Sequence, residues 1–337
     1  MRPVLLFCVI AVVSAPAVPD QRLDAIRHAK VWASTDVRSK NLKAGPQGPL
    51  AFQPGETVAC DFIDEPHGKG STPKFHCRLP SGRDIKVRYG KTNGEVYAQV
   101  AATRLMWALG FPANAMYPVK IVCRGCPADP FNGKAAPAGS APVTFDPATV
   151  DEPAPGTTIE TKPDEGWSWK ELDLVDERAG GATRAERDAL RLLAVLIQHS
   201  SNKPINQRIV CANPPSCSQT SLMIADVGKT FGQANAGNND ATGAANFKGW
   251  SGEKIWKGAT TCVGNLHWTW SGSLSDPMIG EPGRKLLSDL LNQLSDAQLR
   301  DLFEVARFTD RDATATVPQW VEAFKAKRAE ITNRKCS

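Results

Sequence analysis

The sequence predicts an α+β fold stapled by disulfides, and three observations carry that prediction. Runs with a period of two cluster in the N-terminal third of the 337-residue chain. Stripes of apolar residues at helical spacing fill the C-terminal third. An even set of eight cysteines follows a segment that reads as an export signal.

The export segment comes first. Arg2 is followed by a short apolar run through Val13, and Ala15-Pro16-Ala17 has the small-residue pattern of a cleavage site. Residues 1–17 therefore read as a secretory signal peptide, too short to span a membrane stably as a helix. Phe7 before Cys8 argues against a lipoprotein box. The expected mature chain starts near Val18 and is exported, to a periplasm or outside the cell. It contains no other long apolar stretch, so no transmembrane segment is expected.

Leu23 to Trp32 reads as a short helix. Val58–Ile63, Lys74–Leu79 and Asp84–Tyr89 then alternate like strands. The tip between the first two, His67-Gly68-Lys69-Gly70-Ser71, contains glycines, and Pro80-Ser81-Gly82-Arg83 turns the chain into the third. Lys86 and Arg88 share one face of that third strand. Glu95 to Leu109 has a strong helical pattern, with Val96, Val100, Leu105, Trp107 and Leu109 apolar. Residues 127–164 are dense in Pro, Ala, Gly and Thr and read as an irregular insertion, partly ordered around Val143-Thr144-Phe145.

Trp167 to Leu172 opens the second half. Thr183 and Glu186 form a capping box for a helix running to His199. Leu190, Leu193, Ala194 and Ile197 give it one apolar face, widened by Leu192, Val195 and Leu196, so it should be largely buried. Gln207–Cys211 and Ser221–Ala225 read as two short strands. From Gly232 to Gly264 the chain is rich in Gly, Ala and Asn, which fits a long, loosely structured loop. Trp250, Trp256, Trp268 and Trp270 cluster in or just after it. They read either as anchors for a loop poor in aliphatics or as a platform for sugars or peptides. Helices follow over Pro282–Leu294, from Ser295 with Gln298 as its capping-box partner, and from Pro318 through Ile331.

Of the eight cysteines, Cys60 and Cys77 sit on adjacent predicted strands, and Cys211 and Cys217 bracket a turn. Cys262 and Cys336 are left for each other. Cys123-Arg124-Gly125-Cys126 is compatible with a tight disulfide, a redox pair, or half a zinc site completed by Cys211 and Cys217. The net charge of +5 is mild, and basic residues are scattered without a stacking-aromatic motif, so nucleic acid is not indicated.

The centre of the chain carries the chemistry. His199-Ser200-Ser201-Asn202-Lys203-Pro204-Ile205-Asn206, followed by Asp226-Val227-Gly228, resembles the kinase catalytic loop H-R-D-L-K-P-x-N and the D-F-G that follows it. Phosphoryl transfer needs hard oxygen ligands for a metal that bridges phosphates, and an Asn and an Asp on neighbouring loops supply them. Upstream, the order of hairpin, strand Lys and helix Glu also resembles a kinase N-lobe. Only nine residues separate Lys86 from Glu95, a short interval similar to that of atypical kinases: the HipA toxin kinases, lipid kinases and secretory-pathway casein kinases.

The resemblance covers roughly Val58 to Phe308. It implies a two-lobed protein-kinase-like fold: an N-terminal extension over 18–57, a small β-rich N-lobe with one helix over 58–126, the insertion, and a larger helical C-lobe over 165–337. It implies an ATP site in which Lys86 binds phosphate, Glu95 pairs with Lys86, and Gly68 and Gly70 cover the phosphates. Gln99 is a second candidate near the helix Glu position. Asn206 and Asp226 are then the ligands of Mg²⁺ or Mn²⁺, with His199, Ser201 and Lys203 in the catalytic loop.

Ser201 stands where a kinase has its base Asp. A serine cannot accept the acceptor's hydroxyl proton at neutral pH, so activity is expected to be weak. Asp64 and Asp240 are the next carboxylates to consider. The functional expectation is an exported atypical phosphotransferase acting on a protein, small molecule or glycan. The alternatives are an inactive kinase-fold binding module and, from the tryptophans, a binder of cell-envelope glycans.

Overall fold

The computed structural model describes residues 19–65, 70, 72–234, 243–267 and 271–336. The signal segment, Gly68, Asp240, Trp268 and Trp270 lie outside the described residues.

After helix α1 (Pro19–Arg27), five strands close into a barrel in the order β1-β2-β3-β5-β4. They are β1 (Glu56–Ile63), β2 (Lys74–Arg78), β3 (Asp84–Tyr89), β4 (Ala115–Arg124) and β5 (Val143–Glu152). All the pairings are antiparallel except β1 with β4, which closes the barrel in parallel and sets Cys60 opposite Cys123. The period of two decides what fills it. Phe75, Cys77, Ile85, Val87, Ile121, Phe145 and Val150 belong to the barrel core, so Lys74, His76, Lys86 and Arg88, one residue out of phase, stand on its outer face.

β5 corrects the reading of residues 127–164 as an irregular insertion. Ten of them form a barrel strand that pairs with both β3 and β4. The composition hid it, because Pro147 interrupts the pattern and the central residues, from Pro147 to Asp151, are buried rather than alternating.

Helix α2 (Glu95–Leu109) spans the predicted residues and is buried nearly all round. Its apolar side chains belong to the large helical core rather than to the barrel core. Arg104 is threaded into that packing and donates to the carbonyls of Leu42, Lys43, Ala44 and Met116. Burial lowers its pKa to about 10.

A three-stranded sheet of β6 (Thr157–Thr158), β7 (Gln207–Cys211) and β8 (Thr220–Ile224) follows the barrel. Helix α3 (Arg184–Leu196) starts at the Thr183–Glu186 capping box and packs on α5 (Glu281–Leu291). Helices α4 (Phe247–Gly252), α6 (Asp296–Val305), α7 (Phe308–Arg311) and α8 (Val317–Asn333) complete the helical part. Residues 243–264 are not loosely structured: they contain α4 and bury Trp250, Ile255 and Trp256.

Trp250 stacks on Trp320 at 5.5 Å and donates to the Leu196 carbonyl, while Trp256 donates to that of Glu330. These two indoles are therefore anchors and take no part in an exposed glycan platform. Four cysteine pairs lie at disulfide distance: Cys60–Cys77, Cys123–Cys126, Cys211–Cys217 and Cys262–Cys336. The sulfurs of Cys60, Cys77 and Cys123 cluster within 4.8 Å of one another, but each is paired in a disulfide, which removes the thiolates that zinc would need. No helix among the described residues is long and apolar enough to cross a membrane.

Candidate functional site

The loop after α3 is held by backbone bonds. Helix α3 ends as the His199 N–H reaches the Ala194 carbonyl and Gln198 takes a positive φ of 50°. The buried His199 ring then approaches the carbonyl oxygen of Asp226 through Nε2 at 2.9 Å. A carbonyl only accepts, so Nε2 carries a proton. Burial lowers the His199 pKa to about 4, so the ring is neutral at neutral pH.

The Asn206 carbonyl accepts from both Ala225 N–H and Asp226 N–H, at 2.9 and 3.0 Å. Its side-chain amide donates to the Ser201 carbonyl and, at 2.9 Å, to Ser201 Oγ. Asn202 is buried and ties the loop to Leu274 in both directions. The Ser200 N–H donates to the Lys229 carbonyl. His199, Ser201, Asn206 and Asp226 are thus brought together by contacts that sequence spacing alone does not specify.

Arg88 connects this loop to the barrel. It is 3% exposed. One guanidinium nitrogen donates to Glu95 Oε2, and Nη2 donates to Asp226 Oδ2 at 2.8 Å. Burial opposes the charges of all three groups. Arg88 nevertheless holds Asp226 well below the usual carboxylate range, aided by the Gly228 N–H on Oδ1 at 3.1 Å. Glu95 is pushed above its ordinary range, first by burial and then by Asp226, against the pull of Arg88. Gly228 is needed for this approach: a Cβ there would sit 2.9 Å from the Glu95 carboxyl carbon.

Arg88, Glu95, Ser201, Asn206 and Asp226 line a cleft of about 570 Å³. Lys74, His76, Lys86 and Arg88 come from the barrel face, and Ser201, Lys203, Asn206, Asp226 and Lys229 come from the two loops. Ile205, Val210, Met223 and Ala225 add an apolar part, and Asp151, Pro153 and Ala154 line it from the end of β5.

The expected Lys86–Glu95 pair is corrected. Lys86 Nζ lies 3.5 Å from Asp151 Oδ2, and Glu95 pairs with Arg88. The reason is position along the strand. Arg88 is two residues nearer the turn into α2, where Asn93 Oδ1 accepts the Glu95 N–H and the Asn93 amide donates back to the Tyr89 carbonyl. Lys86 still lines the cleft, as do Lys203 and Gly70. Gln99 does not: its buried amide donates to Thr149 Oγ1. Asp64 stands elsewhere, accepting from the Ala135 N–H. The sequence reading put Arg88 on the face of Lys86 but gave it no role. Lys74 opens a predicted strand but likewise has no role in that reading, although hairpin register puts it opposite Arg88.

The oxygen donors fit a hard divalent cation. A carboxylate from Asp226 and the Asn206 Oδ1, which none of the bonds above engages, are ligands that Mg²⁺ or Mn²⁺ accepts, with phosphate and water completing the shell. Such an ion would share Asp226 with Arg88.

No protein-family model matches the chain, and no curated protein sequence matches it. Among solved structures, the chain is similar to the Helicobacter pylori proinflammatory kinase CtkA, at 8% identity, over 81% of this chain and 92% of that one, with a TM-score of 0.40. A likeness at that level carries no chemistry across to this chain.

Proposed function

We propose that the chain is an exported, kinase-like protein of two-lobed design that binds a nucleotide with Mg²⁺ or Mn²⁺ in the 570 Å³ cleft. One observation carries the reading. Arg88 on a barrel strand bridges Glu95 on a helix and Asp226 on the loop after β8, and His199 and Asn206 hold that loop by its backbone. A strand cation joined to a helix carboxylate, beside a loop Asp and Asn, is what phosphoryl transfer requires for positioning and charge neutralisation. Four cysteine pairs at disulfide distance support an oxidising destination.

A bound divalent ion supplies charge neutralisation on the phosphates. Asp226 and Asn206 hold it, and Lys86 and Lys203 add positive charge from the two sides of the cleft. Ser201, at the position that the resemblance gives to the base, has a hydroxyl that already accepts from Asn206. A hydroxyl does not act as a base at neutral pH, so transfer relies on positioning and proceeds slowly. The second reading, a binding module without catalysis, is favoured by that same serine.

Thermal unfolding with ATP, with and without Mg²⁺ or Mn²⁺, tests the proposal. Ligand at about one hundred times its dissociation constant should add roughly 2.7 kcal/mol. Asp226→Asn should lose the metal-dependent part and keep the apo fold. No shift at millimolar nucleotide would end the nucleotide reading.

A further inference from the structure

Lys74 is the least compensated cation of the cleft. It is 4% exposed. Among the described residues its ammonium meets only the Gly70 carbonyl at 3.4 Å and the face of Phe131, 5.3 Å from the ring centre. Arg88 has Glu95 and Asp226, and Lys86 has Asp151, but among the described residues no carboxylate comes within ion-pair distance of Lys74. Arg88 lies directly opposite on β3, and Lys86 lies one step along the same outer face. Burying a lysine beside like charges costs several kcal/mol unless an anion accompanies it. Burial, then Arg88 and Lys86, pull the ammonium below the usual lysine range, against the weaker opposing pull of Glu95 and Asp226.

The rest of the cleft is poorly suited to a heterocyclic base. A flat base needs apolar surface on both faces and a few free backbone donors or acceptors. The apolar side chains Ile205, Val210 and Met223 come from the β7 and β8 side, while the barrel side offers Pro153 and Ala154 at the end of β5 and otherwise polar or charged groups such as Lys74, Lys86, Arg88 and Asp151. The Ala154 N–H, on the segment after β5, is already given to Asn114 Oδ1 at 3.2 Å.

We infer that Lys74 and Lys86, braced by Arg88, grip successive phosphates of the ligand, so that the cleft recognises a polyphosphate chain and takes little of its affinity from a base. The inference rests on the reading of the cleft as a phosphate site and names what that site recognises.

Calorimetric titration of the full chain with ATP, inorganic tripolyphosphate and adenosine, all in Mg²⁺, tests it. Tripolyphosphate should bind within about threefold of ATP, and adenosine should not bind. Lys74→Met should weaken ATP and tripolyphosphate alike, by tenfold or more, while raising the apo melting temperature, because it removes a buried unpaired charge. A lysine of purely structural value would lower that temperature and leave affinity unchanged. If Lys74→Met folds poorly, Lys86→Ala, on a half-exposed side chain, should weaken both ligands equally. ATP binding tenfold or more tighter than tripolyphosphate would overturn the inference and leave the nucleotide reading standing. Binding of neither would overturn both.

Discussion

Arg88 and Glu95 form a buried ion pair between the end of a barrel strand and the first turn of α2, with side chains 4% and 5% exposed. The same guanidinium reaches Asp226 at 2.8 Å. One side chain therefore sets the distance between the helix and the loop that carries Asp226.

Removing that cation leaves Glu95 buried without its partner. Breaking one side of a buried pair typically costs about 3–5 kcal/mol. Arg88→Met should lose that much in urea unfolding at neutral pH. Adding Glu95→Gln should recover a large part, since it removes the stranded charge. A single variant as stable as the wild-type protein would show that the pair does not hold the two elements together.

Gly228 should tolerate no side chain. A Cβ would lie 2.9 Å from the carboxyl group of Glu95, which Arg88 holds in place. Gly228→Ala is expected to cost about 1–3 kcal/mol, the range for forcing atoms into packed space. Its denaturation midpoint should fall, and any nucleotide-induced shift should shrink with it.

His199 makes stability depend on pH. Its ordinary pKa is 6.5, and burial lowers it to about 4 in the folded state. Between these values the unfolded chain binds the extra proton, so stability rises with pH across the window and is lost as pH falls from 6.5 toward 4. The full effect is roughly 3 kcal/mol. His199→Gln keeps an N–H for the Asp226 carbonyl and does not titrate, so the wild-type-minus-variant difference should flatten outside this window. Asp226 acts in the same direction at lower pH and Glu95 in the opposite one, and both cancel in that difference. An equal pH slope in the two proteins would contradict the assignment.

Ser201 should limit turnover. A well-placed general base contributes about 10²–10⁴-fold. Ser201→Asp restores a carboxylate beside Asn206, so nucleotide hydrolysis or transfer should rise by an amount within that range. A variant that binds nucleotide yet stays inactive would favour the binding-module reading. Efficient wild-type turnover abolished by Ser201→Asp would show that the base lies elsewhere.

Local pattern determined much of this protein. β3 and α2 fall on the predicted residues because alternation and helical periodicity are strong there, and α3 and α6 start at the capping boxes that the sequence displays. The pairings Cys60–Cys77 and Cys211–Cys217 followed from segments expected to lie side by side, and Cys262–Cys336 from being left over. The loop residues His199, Ser201, Asn206 and Asp226 stood out because their spacing resembles that of a kinase loop, and the structure brings them together.

Tertiary structure alone decided the rest. β5 is a strand because β3 and β4 supply partners on both edges, which its own proline-containing sequence does not announce. Cys123 and Cys126 had three compatible roles until the barrel brought them to disulfide distance. The choice of Arg88 over Lys86 for Glu95 depends on how the chain turns at Asn93, and the place of Lys74 opposite Arg88 depends on hairpin register. Alternation puts a charge on a face, but only packing decides which opposite charge comes within 3 Å of it.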